Sequence, residues 1–216
     1  MRIVLIHAVA VAMEPVHAAF KAQWPEAECV NLLDDSLSPD RARDGDLTEA
    51  MSGRIRALAD YAVGTGADGI LFTCSAFGPA IEAVARALPI PVLKPNEAMF
   101  EAALAQGRRI GMLATFQPSV ESMEEEFRVE AGQRAIEASI ETICVPEAMA
   151  ALRQGDVETH NRLLAGAAPR LAGCDAVMLA HFSTARAAAA VGKALGRAVL
   201  TSPDAAVAKL RPLLEG

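Results

Sequence analysis

The sequence predicts an α/β protein of two similar lobes, each a parallel sheet flanked by helices, the two related by pseudo-two-fold symmetry. Three observations predict it. The apolar runs are short and nearly continuous, as strands buried on both faces require. Helical patterns lie between them, so strand and helix alternate. The pattern then repeats at an offset of 107 residues.

Taken in order, Ile3–Ile6, Gly69–Phe72, Ile110–Ala114 and Ala176–Ala180 are the strand runs. Val30–Leu33 and Val92–Leu93 read as further strands. Met51, Ile55, Leu58 and Ala62 recur at helical spacing between two of these runs. A second helix is expected from Pro118 to about Ala131, with proline in its first turn and Glu121, Glu124, Glu125 and Glu126 near its start. The unpaired N–H groups and the dipole of a helix start favour both.

The repeat aligns Arg2-Ile3 with Arg109-Ile110, Phe20 with Phe127, and Gly66-Ala67-Asp68 with Gly173-Cys174-Asp175. Further on it pairs Val84 with Val191, Leu88 with Leu195, and Val92-Leu93 with Val199-Leu200. The middle of each half does not match. The expected division is residues 1–95 plus 203–216 for the first lobe and residues 96–202 for the second.

Composition narrows the function classes. The chain has 216 residues, 52% of them hydrophobic, which is enough to bury a real core in each lobe. The net charge is -7 and no Lys or Arg cluster stands out, so no nucleic-acid partner is expected. Aromatics at 4% are too few for base stacking. No run approaches the ~18 consecutive apolar residues of a membrane span, so no membrane partner is expected. The opening run to His7 is too short for a signal peptide, and Glu14 and Pro15 follow it. The cysteines Cys29, Cys74, Cys144 and Cys174 show no C-x-x-C spacing, which suits a cytoplasmic protein with reduced thiols. There is no G-x-G-x-x-G after the first strand and no P-loop, and the four histidines do not cluster with acids. No nucleotide, flavin or metal is therefore expected.

The repeat also points to a site. Ligands of open parallel sheets bind beyond the carboxyl ends of the strands. Cys74 lies just past Gly69–Thr73, and its repeat partner is His181, just past Ala176–Ala180. A thiol and an imidazole are thus expected to confront each other across a cleft. Free N–H groups of the helix after Cys74 are expected to lower its pKa. His181 has two possible roles: exchanging a proton on the face opposite the thiol, or, when charged, activating the thiol and holding a carboxylate. His7, Ser75, Ala76, Thr115, Phe116, Ser119, Phe182, Ser183 and Thr184 occupy strand ends as candidate substrate contacts. Their hydroxyls and N–H groups suit a carboxylate or an enolate oxygen, although helix capping is the commoner use of Ser and Thr there. Cys29, Cys144 and Cys174 read as structural, His17 and His160 as solvent-facing helix residues, and Asp34-Asp35 as an acidic turn.

Three segments carry a family resemblance. They are Gly66-Ala67-Asp68-Gly69-Ile70-Leu71-Phe72-Thr73-Cys74-Ser75, Arg109-Ile110-Gly111-Met112-Leu113-Ala114-Thr115, and Asp175-Ala176-Val177-Met178-Leu179-Ala180-His181. Together with the double repeat, the chain resembles the aspartate/glutamate racemase superfamily, which includes hydantoin and allantoin racemases, maleate isomerase and arylmalonate decarboxylase. The resemblance implies cofactor-independent proton transfer on a small carboxylate, amino acid or hydantoin-like substrate, and assembly as a homodimer or larger homo-oligomer. In the racemases two cysteines face each other. Here Cys74 matches the first, while His181 stands at the second. The decarboxylase has one thiol, in the second lobe. Thiol-mediated racemisation is the leading expectation, with Cys74 as base and His181 as acid. The alternatives are cis–trans isomerisation or decarboxylation through Cys74, or a small-acid binding protein that has lost its second catalytic group.

Overall fold

A computed structural model describes all residues, Met1–Gly216. The chain divides into two compact units, Met1–Ala98 with Ala206–Gly216 and Met99–Ala205. In chain order the first half contains β1 (Arg2–His7), α1 (Met13–Gln23), β2 (Glu28–Leu33), α2 (Leu37–Asp44), α3 (Glu49–Gly64), β3 (Gly69–Phe72), α4 (Gly78–Ala87), β4 (Val92–Leu93) and α5 (Glu97–Gln106). The second contains β5 (Arg109–Ala114), α6 (Val120–Gln133), β6 (Ser139–Cys144), α7 (Pro146–Arg153), α8 (Val157–Ala167), β7 (Ala176–Leu179), α9 (Ala188–Leu195), β8 (Leu200–Thr201) and α10 (Ser202–Glu215). 3-10 segments at Ser75–Phe77 and Phe182–Ala187 follow β3 and β7.

Each unit holds a four-stranded parallel sheet, in the order β2-β1-β3-β4 in one and β6-β5-β7-β8 in the other. The central strands are buried on both faces, which explains their unbroken apolar sequences. The edge strand β2 alternates more freely with solvent. In the first unit Ile55, Ala59 and Ala62 of α3 pack with Val4, Ile70 and Phe72 of the sheet. Thr48 caps α3 by accepting the Met51 N–H at 3.2 Å. In the second unit Phe100 and Phe127 meet edge to face at 5.7 Å inside one core cluster. A second cluster joins Leu164 of α8 to Leu113, Ala187 and Val191.

The repeated Gly-x-Asp segments have a structural role. Asp68 accepts the Arg2 N–H at 2.6 Å. Asp175 accepts the N–H groups of Arg108 and Arg109 at 2.9 and 2.8 Å. Each aspartate ties the start of its lobe's central strand to the strand beside it.

Three sequence expectations are corrected. His160 does not face solvent: it is fully buried on α8. The helix expected from Pro118 begins as a 3-10 turn at Gln117–Ser119 and becomes α-helical at Val120. Asp34 is more than a turn residue, because its carboxylate receives Arg54 at 2.6 Å, and Arg54 also holds Asp40 at 2.6 Å. No helix is long and apolar enough to cross a membrane.

Candidate active site

In the first lobe the carboxyl ends of β1 and β3 lie side by side. The register Ile6↔Phe72 places His7 next to Thr73. Both ring nitrogens of His7 are engaged. Nδ1 lies 2.9 Å from Thr73 Oγ1 and Nε2 lies 3.0 Å from Asn31 Oδ1. His17 reaches the same Asn31 oxygen at 2.9 Å. The amide oxygen can only accept, so His7 Nε2 carries the proton and Nδ1 accepts from the Thr73 hydroxyl. Burial lowers the His7 pKa, which favours this neutral form. His7 therefore anchors the residue before Cys74 and has no ring nitrogen left for a ligand.

Cys74 is extended, at φ -126° and ψ 123°, and leads into the Ser75–Phe77 turn. Its sulfur is favoured as a thiolate by the Ala76 N–H and the Ser38 hydroxyl, but burial outweighs both and pushes the thiol pKa up. The expected lowering is thus reversed, because the short turn supplies one N–H to a largely desolvated group. Ser38 lies in the first turn of α2, and Arg41 on the same helix donates to the Ala76 carbonyl at 3.4 Å. Ser75 is half-buried and Ala76 is exposed. All four cysteines are free, and burial also raises the pKa of Cys29, to about 11.

In the second lobe the same strand ends carry Thr115, after β5, and His181, after β7. Ala180 donates its N–H to Leu113 at 2.9 Å, which sets the two residues beside one another. His181 adopts φ 68° and ψ 153°. That combination belongs almost wholly to glycine. Its Nδ1 is buried without a hydrogen-bond partner, as are Thr115 Oγ1 and Thr184 Oγ1. Burial lowers the His181 pKa, and the Ala180 carbonyl opposes this only in part. Phe182 and Ser183 are buried, while Phe116 is exposed. Ser119 is occupied locally, donating to the Phe116 carbonyl at 2.8 Å.

Burial thus drives Cys74 and His181 the same way, toward a neutral thiol and a neutral imidazole. A neutral imidazole is a base and a thiol is an acid, the reverse of the roles first expected for the resting state. Sequence reasoning missed Ser38, Thr73 and Asn31, which are polar residues at strand or helix ends with no motif around them. Two surface cavities of the second lobe, about 600 and about 320 Å3, lie at the amino ends of its strands, near Arg108 and Arg109 respectively. They are at the wrong end of the sheet for these side chains. No three His, Cys, Asp or Glu side chains converge to hold a metal.

The family model for Asp/Glu/hydantoin racemase matches residues 4–210. The chain belongs to this family. Membership supports racemase, isomerase or decarboxylase activity. Among curated proteins none matches significantly. Solved structures do match in fold. Allantoin racemase from Pseudomonas fluorescens superposes with a TM-score of 0.72 at 18% identity, covering 100% of this chain and 91% of that one. Glutamate racemase from Thermus thermophilus, in complex with beta-chloro-D-alanine, gives 0.69 at 21% identity, covering 99% and 80%. A mutant of arylmalonate decarboxylase in a sulfate-associated form gives 0.69 at 19% identity, covering 100% and 94%.

Proposed function

We propose that this family member is a cofactor-independent racemase or isomerase of a small carboxylate, amino acid or hydantoin-like substrate, in which Cys74 and His181 address opposite faces of one carbon. The observation that carries the proposal is the pairing of positions. Cys74 lies just past the end of β3, and His181, with an unpartnered buried Nδ1, lies just past the end of the equivalent strand β7.

In the resting state neutral His181 is the base and the Cys74 thiol is the acid. His181 takes the α-hydrogen as a proton, and the bonding pair moves toward the adjacent carbonyl to give an enolate. Cys74 then delivers its proton to the other face of the same carbon. The product leaves a thiolate and an imidazolium, and the reverse reaction starts from that pair. Thr115 Oγ1, buried and without a partner, supplies a hydroxyl for the developing enolate oxygen or the substrate carboxylate. The Ala76 N–H and Ser38 hydroxyl stabilise the thiolate when it forms. Addition of Cys74 to a double bond needs the thiolate at the outset, which burial opposes.

The neutral thiol also favours a second reading, decarboxylation, in which loss of CO2 generates the enolate and Cys74 alone protonates it.

The test is a panel of small dicarboxylates, amino acids and hydantoins incubated in deuterium oxide, with optical rotation, α-deuterium and CO2 followed together. Racemisation with one solvent deuteron at the α-carbon, lost in Cys74→Ala, is expected. Racemisation that persists in Cys74→Ala would remove the thiol from the mechanism. CO2 release that survives His181→Ala would select the decarboxylase.

A further inference from the structure

His160 lies on α8 at the position the sequence assigned to solvent, yet it is fully buried. Its Nδ1 sits 2.8 Å from Asn161 Oδ1. An amide oxygen can only accept, so Nδ1 carries the proton and Nε2 presents a bare lone pair. That Nε2 is buried without a hydrogen-bond partner. Thr184 is likewise fully buried, and its hydroxyl has no partner. One group is an unused acceptor and the other an unused donor.

The fold puts them on facing surfaces. His160 and Leu164 are one turn apart, so they share a face of α8. In a 3-10 turn, residues three apart eclipse, so Thr184 shares a face with Ala187. Leu164 and Ala187 belong to the same core cluster. The faces that meet through Leu164 and Ala187 therefore bring His160 toward Thr184. Burial and the nearby positive charge of Arg186 hold His160 in the neutral form that can accept.

We propose that Thr184 donates its hydroxyl toward His160 Nε2 through one bridging water, as a latch that holds the Phe182–Ala187 segment against α8. This turn begins immediately after His181, whose backbone sits at φ 68°. Such a conformation persists only where its surroundings over-determine it. His160 is thus a positioning residue: it acts through Thr184 on the segment that aims His181. The consequence for catalysis rests on the role proposed for His181; the latch itself does not.

Three variants test it: Thr184→Val, which removes one oxygen at constant shape, His160→Leu, and His160→Gln, which keeps a hydrogen-bonding atom near the position of Nε2. The readouts are thermal midpoint, amide hydrogen exchange of residues 182–187, and the 15N shift of His160. If the latch exists, Thr184→Val lowers the midpoint and moves the His160 Nε2 resonance. His160→Leu then speeds exchange in the turn about tenfold or more, and His160→Gln restores most of the protection. A truly unpaired hydroxyl gives the opposite sign, since removing it is neutral or stabilising. A midpoint unchanged or raised in Thr184→Val, with His160 unmoved, overturns the proposal. So does His160→Gln failing to rescue. None of these readouts needs a substrate, so they remain decisive if the proposed activity fails.

Discussion

His181 at φ 68° and ψ 153° carries a backbone conformation that costs about 1–3 kcal/mol for a residue with a Cβ. Replacing it with glycine removes that cost. His181→Gly is expected to raise unfolding stability in urea by about 1 kcal/mol or more while abolishing racemisation. A destabilised glycine variant would show that the imidazole contributes more to packing than the strain removes. That Cys74 and His181 follow equivalent strands was legible in the sequence, because each comes just after an apolar run and the repeat aligns them. Thr73, Asn31 and Ser38 were not, since each acts on a partner far along the chain. The burial of His160 did leave a sequence signal. His160, Leu164, Ala168 and Leu171 follow helical spacing, and a histidine in such a stripe belongs with the core. The lowered thiol pKa expected for Cys74 failed for a physical reason: burial opposes the thiolate more than one N–H and one hydroxyl favour it.

At the scale of elements, the repeat is kept by the strands and broken by the helices. β1 and β5 are 107 residues apart, as are β3 and β7. β2 and β6 are 111 apart, because α6 is three residues longer than α1 and the loop after it is one longer. The shorter α8, 11 residues against 16 in α3, helps restore the offset. This is why an ungapped comparison matched the ends of each half and missed the middle. The Asp175 carboxylate shows what the conserved offset protects. Two N–H groups and the Arg109 guanidinium hold its pKa down to about 2, against an ordinary 3.8. A depressed folded value means that the contribution is complete above the ordinary value and is lost as pH falls toward 2. Asp175→Asn is therefore expected to lower the melting temperature at pH 7 and to match the wild type closely at pH 2. Equal melting temperatures at pH 7 would mean that water replaces these bonds without cost. Gly107 lies against the same aspartate, where an added Cβ would come within 2.3 Å of the Asp175 Cβ, so even alanine is excluded there.

For the whole molecule, the internal repeat explains the architecture, and under the proposed function it also sets the asymmetry of the chemistry. Two sheets of the same strand order each present a strand end, one bearing a thiol and the other an imidazole. Composition and periodicity were enough to read the class, because buried parallel strands leave unbroken apolar runs. The substrate was not legible, because the groups that would recognise it are single hydroxyls and backbone amides. Assigning one proton-transfer group to each face makes the two enantiomers unequal. The most direct measurement is α-proton exchange into deuterium oxide, followed separately from each enantiomer, in Cys74→Ala and His181→Ala. Neither variant should interconvert the enantiomers. Cys74→Ala should keep exchange from one enantiomer, and His181→Ala from the other once the pH is high enough to form the buried thiolate. Loss of exchange from the same enantiomer in both variants, or interconversion surviving in either, would contradict the assignment of Cys74 and His181 to opposite faces.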